Sequence, residues 1–111
     1  MKLPNPEHAV VELAKLRDYS LSPAHPEGKH KARVFAAALG LTQTDAEWLR
    51  EQLLAVPAEH DCVSGLSDQH GQRYTVDFTA TLRGKSARLR SAWNVRPEEN
   101  FPRLVSCYVT N

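Results

Sequence analysis

Past residue 71 the hydrophobic period of this chain changes from that of a helix to that of a strand, and this change limits the available folds more than any other feature. Tyr74, Val76, Phe78, Ala80 and Leu82 alternate with Thr75, Asp77, Thr79 and Thr81. That period of two makes a half-buried strand. Arg83-Gly84-Lys85 reads as a hairpin turn. A second strand puts Ala87, Leu89, Ser91, Trp93 and Val95 on one face, with Arg88, Arg90, Ala92, Asn94 and Arg96 on the other. After a loop from Pro97 to Pro102, a last strand carries Val105, Cys107 and Val109 on one side. Leu104, Ser106, Tyr108 and Thr110 fall on the other.

Three segments of helical period precede this meander. Ala9-Val10-Val11 reads as a short edge strand. Leu13, Leu16 and Arg17 then share a helical face, and Ser22-Pro23-Ala24-His25-Pro26 ends that segment, because residues before proline avoid the helical region. The second helix lies between Gly28 and Gly40. Ala32, Ala36, Ala37, Ala38 and Leu39 are strong helix formers, and Gly40 sits where a left-handed cap belongs. Phe35, Ala38 and Leu39 form its buried stripe, with His30 and Lys31 at the N-terminal edge of that stripe and Lys29 and Arg33 pointing elsewhere. The third helix is expected to start from a capping box of Thr44 and Glu47. It buries Trp48, Leu49, Gln52, Leu53 and Val56, and Pro57 stops it. Residues 57–71 have no period and read as a long loop. The fold expected is α+β, one domain over 1–111, with N-terminal helices packed on one face of a three- to four-stranded antiparallel β-meander.

The chain is 41% hydrophobic and 24% charged, which fits a globular protein rather than a disordered one. Cys62 and Cys107 form no CxxC or zinc pattern, so a reducing, cytoplasmic setting is expected. The N-terminus, Met1-Lys-Leu-Pro-Asn-Pro6, has no apolar core of a signal peptide, and no apolar run reaches membrane-spanning length. Net charge is +1 but unevenly spread. Residues 72–111 hold seven Lys and Arg against three acids, whereas residues 1–71 hold seven against ten. Such polarity suits an anionic partner, and it equally suits a solvated sheet face.

The five histidines show no zinc spacing, and no metal or cofactor is expected. No Gly-rich phosphate loop and no nucleophile elbow are present. Cys107 alternates with valines and reads as core. Trp48 and Trp93 read as packing residues, with base stacking as the alternative. His30 and Lys31, at a helix start that favours anions, read either as an anion site or as ordinary solvated first-turn residues. The remaining Lys, His, Arg, Ser and Tyr side chains suit metal-free cleavage of RNA. In that reaction a base takes the 2′-hydroxyl proton, an acid protonates the leaving 5′-oxygen, and a cation stabilises the phosphorane. The face away from the helices, with Asp77, Thr79, Arg88, Arg90, Ser106, Tyr108 and Thr110, could hold phosphates and bases. The same residues also fit a wet sheet face.

Leu3-Pro4-Asn5, His25-Pro26, Gly28-Lys-His-Lys-Ala-Arg-Val-Phe35, Leu39-Gly40, Arg90-Ser-Ala-Trp93 and Pro102-Arg-Leu-Val-Ser-Cys-Tyr108 together resemble a family of small uncharacterised bacterial domains. These occur alone or at the C-termini of larger toxin or phage-head proteins. The strand pattern of the second half also resembles the barnase–EndoU–colicin–RelE group of ribonuclease toxins. That resemblance implies helices followed by a four-stranded antiparallel sheet, with metal-independent RNA cleavage on the open sheet face. By position it makes His30 and Lys31 the acid–base or phosphate-holding pair, Arg90 the transition-state cation, and Ser106 and Tyr108 the hydroxyl partners. Arg88, Arg103 and Thr79 are the candidate RNA contacts. RNA is then the substrate, and a protein antitoxin or immunity partner would cover the sheet. The alternative is a non-catalytic module that binds nucleic acid or protein through the same basic face.

Overall fold

The computed structural model describes residues 1–110, and its second half is an antiparallel sheet in the order β1-β2-β3-β4. The strands are β1 (Val63–Asp68), β2 (Gly71–Leu82), β3 (Lys85–Val95) and β4 (Arg103–Thr110). Arg83 and Gly84 join β2 to β3 with φ of 48° and 83°, the doubly left-handed turn whose twist matches a hairpin. This two-residue turn sets the register from Leu82↔Lys85 through Asp77↔Arg90 to Gln72↔Val95.

Val76, Phe78 and Ala80 of β2 and Leu89, Ser91 and Trp93 of β3 are buried, as their alternation requires. In β4 the expected faces are only partly right. Ala92 pairs with Ser106 but Trp93 pairs with Leu104, so β4 holds one extra residue there. This bulge turns Leu104 into the core and Val105 out to solvent. Ser106, Tyr108 and Thr110 keep the open face. The loop expected over 57–71 contains β1. All six of its residues are exposed, so no burial alternation marked it as a strand.

The helical layer covers the other face of the sheet. A short turn, α1 (Leu13–Lys15), runs directly into a π-helical turn, Leu16–Ser20. Helix α2 (Lys29–Leu39) packs on β3 and β4, and α3 (Ala46–Glu59) packs on β2. Gly40 closes α2 with φ 69°, and its N–H donates to the Ala36 carbonyl at 2.9 Å. The capping box ahead of α3 is formed by Thr42 and Asp45, not Thr44 and Glu47, because a 3₁₀ turn over Gln43–Asp45 precedes the helix. Pro57 does not stop α3. It lies in the last turn, and the helix continues to Glu59, with the His60 N–H still reaching the Val56 carbonyl at 3.0 Å. Ala9-Val10-Val11 forms no strand, only a single parallel bridge from Val10 to Arg103.

Phe35, Leu49, Leu53, Leu89, Trp93 and Cys107 fill the centre of the core. Inside it the Trp93 Nε1–H donates to Ser91 Oγ at 2.8 Å, and Ser91 Oγ donates to the Val76 carbonyl at 2.9 Å. This relay satisfies the one polar edge of a fully buried indole.

Candidate functional site

The open face of the sheet carries its polar residues in cross-strand rows. Thr79, Arg88 and Thr110 form one row, Asp77, Arg90 and Tyr108 the next, and Thr75, Ala92 and Ser106 a third. The central row is the most connected. Arg90 grips Asp77 with both edges of its fork, Nε to Oδ1 at 2.8 Å and Nη2 to Oδ2 at 3.0 Å. These bonds, with the charges of Arg90 and Arg88, hold the Asp77 carboxyl below its ordinary value. In return Asp77 raises the Arg90 guanidinium above its ordinary value, and the Tyr108 hydroxyl adds to the effect.

Tyr108 lies on the open face of β4, one of the two strands against which α2 packs from the other face. The Lys31 ammonium stands 5.6 Å from the Tyr108 ring centroid and 5.2 Å from that of Tyr19. Cations favour the faces of aromatic rings, so the two tyrosines fix where this flexible side chain ends. Tyr19 meets His25 edge to face, with centroids 4.6 Å apart. His25 Nδ1 accepts the backbone N–H groups of Glu27 and Gly28, each at 3.0 Å. A neutral His25 therefore carries its proton on Nε2. The result is a continuous strip, His25–Tyr19–Lys31–Tyr108–Arg90–Asp77, running from the helical layer onto the sheet.

Of the expected site residues, Lys31, Arg90 and Tyr108 come together in this strip. Ser106 lies two positions from Tyr108 on the same face, and its hydroxyl has no partner among the described residues. His30 is next to Lys31 in sequence but exposed, away from the buried edge of the stripe expected for it, because Ala32, Phe35 and Leu39 form that stripe. Arg88 extends the face, with Nη1 donating to Thr79 Oγ1 at 3.2 Å. Arg103 sits beyond the bulge and is engaged elsewhere. It holds Glu99 through bonds of 2.7 and 2.8 Å and lies over the Phe101 ring. Trp93 is fully buried and offers no base a stacking surface, while Trp48 packs against the core. Burial pushes the Cys107 thiol up to about 12, against the opposing charge of Lys31, which suits packing and not nucleophilic attack.

Tyr19, His25 and Asp77 are members of the strip to which sequence reasoning assigned no role, although His25 lies in a quoted motif and Asp77 on the expected open face. Asp77 had a usable signal. A two-residue turn at Arg83-Gly84 places it opposite Arg90, an opposite-charge pair across the hairpin. Tyr19 and His25 had none, since their approach to Lys31 depends on how the segment before α2 folds back.

A family model described as a domain of unknown function (DUF6883) matches residues 2–111. No curated protein and no solved structure matches the chain.

Proposed function

The chain belongs to the DUF6883 family, whose description assigns no chemistry, and from that premise we propose that it is a metal-independent ribonuclease acting on the open sheet face. The observation that supports this reading is the convergence of Lys31, Tyr108 and Arg90, two cations and a hydroxyl from different elements, with Ser106 on the same face of β4. An RNA strand laid across the rows brings a phosphate to Lys31 and Arg90, and Arg88 meets a neighbouring phosphate. The 2′-oxygen attacks phosphorus and the bond to the 5′-oxygen breaks, leaving a cyclic phosphate and a free 5′-hydroxyl. His30, exposed and next to Lys31 in sequence, takes the 2′-hydroxyl proton; water protonates the leaving 5′-oxygen, and the hydroxide so formed takes back the proton that His30 holds. Lys31 and Arg90 stabilise the charge that builds on the phosphorane, with the Tyr108 and Ser106 hydroxyls donating to its oxygens. Asp77 does not act as the base. Its carboxyl is held below its ordinary value, which makes it a weak base, and both of its oxygens accept from Arg90, so its role is to orient the guanidinium. A protein inhibitor covering this face in the cell belongs to the same proposal.

One observation favours a second reading, a module that binds RNA without cutting it. Arg90 already spends two donors on Asp77, so its remaining donors must serve the phosphate. Cleavage of total bacterial RNA in EDTA separates the two. The enzyme predicts discrete products from the wild type and none from Arg90→Ala or Lys31→Met. Salt-sensitive binding by the wild type without products would establish the module instead.

A further inference from the structure

A separate groove of about 460 Å³ opens on the helical layer between α2 and the segment that follows it. Its floor is apolar. Ala32 and Ala36, one turn apart on α2, face Leu21 and Leu41, and no long side chain fills the space between them. Its rim is cationic. Lys29 and Arg33, also one turn apart, both line the groove, both are exposed or partly so, and neither has an acidic or hydrogen-bonding partner among the described residues. Several other exposed arginines are already engaged, Arg17 by Asp18, Arg83 by Asp45 and Arg96 by Glu99. The opposite wall has spent its polar groups internally. The Thr42 and Thr44 hydroxyls bond each other at 2.7 Å, and Gln43 Nε2 donates to the Arg17 carbonyl at 2.8 Å.

We propose that this groove binds an amphipathic monoanion, a body of apolar carbon ending in a single carboxylate held by Lys29 and Arg33. The volume falls in the range of small-molecule sites, and an apolar floor with few charged groups at one end is the composition such sites have. The Arg33 fork donates to both carboxylate oxygens, and the N-terminal turn of α2 adds its positive partial charge. The carbon chain lies along Ala32 and Ala36, where side chains larger than a methyl group would close the groove. The site faces away from the open sheet and does not depend on RNA cleavage.

Octanoate, below its micelle-forming concentration, is the probe. Titrated into the isotopically labelled full chain, it is expected to give saturable amide shifts confined to Leu21 and residues 29–44. Octanol and octylammonium are expected to bind at least about tenfold more weakly, and Arg33→Gln to weaken octanoate by a similar factor. Ala36→Phe is expected to abolish binding by filling the groove. Ala36 and Arg33 are both exposed, and an unchanged thermal melt confirms that each variant folds. Octanol binding as tightly as octanoate, shifts centred on the sheet, binding unaffected by Ala36→Phe, or no saturable shift would each overturn the proposal.

Discussion

Asp77 and Arg90 face each other across β2 and β3 and are joined by two hydrogen bonds, 2.8 and 3.0 Å long, in the middle of the open sheet face. The pair fixes the guanidinium plane, because a bidentate fork allows one orientation where a single bond allows many. It also places a negative charge where the proposed substrate is negative. Asp77 therefore helps to position Arg90 and opposes phosphate binding at the same time.

These opposed roles predict a split effect. Asp77→Asn removes the repulsion, so RNA affinity at low salt should rise, roughly two- to fivefold for a partly exposed charge. Turnover of bound RNA should fall, because Arg90 is no longer held in one plane. Filter binding and single-turnover cleavage measure the two separately. Weaker RNA binding by Asp77→Asn would mean that Asp77 adds more by orienting Arg90 than it costs by repelling phosphate.

The Trp93–Ser91–Val76 relay predicts a stability effect away from the site. Ser91→Ala leaves the indole N–H and the Val76 carbonyl without that partner in a fully buried position. An unsatisfied buried group costs about 1–3 kcal/mol, so the urea midpoint should drop while the slope stays unchanged. Trp93→Phe in the Ser91→Ala background should cost less than the sum of the two single changes, since each removes the same bond. Strict additivity would show that the relay contributes nothing.

Two glycines flanking α2 separate close packing from backbone strain. Gly28 has an ordinary helical φ of −76°, yet a Cβ there would overlap the Tyr19 carbonyl. A Cβ at Gly40 would meet nothing within 4 Å, but Gly40 holds a left-handed φ of 69°. Gly40→Ala should cost about 1–2 kcal/mol of backbone strain and leave RNA binding intact. Gly28→Ala should cost about 1–3 kcal/mol from overpacking and also weaken RNA binding, because Tyr19 must move from beneath Lys31. Equal RNA binding by the two variants would disconnect Tyr19 from the site.

The α+β order, the limits of α2, the β2–β3 hairpin and the open-face placement of Arg90 and Tyr108 were legible because each follows from a period or a glycine. Three features were not. The β4 bulge moves Leu104 and Val105 between faces by one inserted residue, and an apolar residue on either side reads the same. Strand β1 is exposed throughout, so it owes its form to hydrogen bonds with β2 rather than to burial. The capping box lies two residues earlier than expected and closes the 3₁₀ turn ahead of α3, because Thr42 and Asp45 compete for the role with an equally plausible Thr44 and Glu47. Within the site, the sequence named Lys31 and Tyr108 but not Tyr19, and not that the Lys31 ammonium lies over both rings. Tyr19 and Tyr108 are far apart in the chain and meet only through tertiary packing.

Acid should weaken the fold through carboxylates that the native state holds ionised. The Arg90 bonds depress Asp77, and the Arg103 bonds depress Glu99. Burial alone would raise Asp45, but the Thr42 amide and Arg83 bring it below its ordinary value. A carboxyl with a folded pKa below its unfolded one stabilises the protein fully above the unfolded value, and that contribution fades as pH falls toward the folded value. Stability should thus be flat from neutrality to about pH 5 and decline below about pH 4, near and beneath ordinary carboxylate values. Urea midpoints for the wild type and Asp77→Asn should differ most at pH 7 and converge as the pH falls through and below the ordinary carboxylate range. A gap that widens toward acid would mean that Asp77 is not held ionised by Arg90.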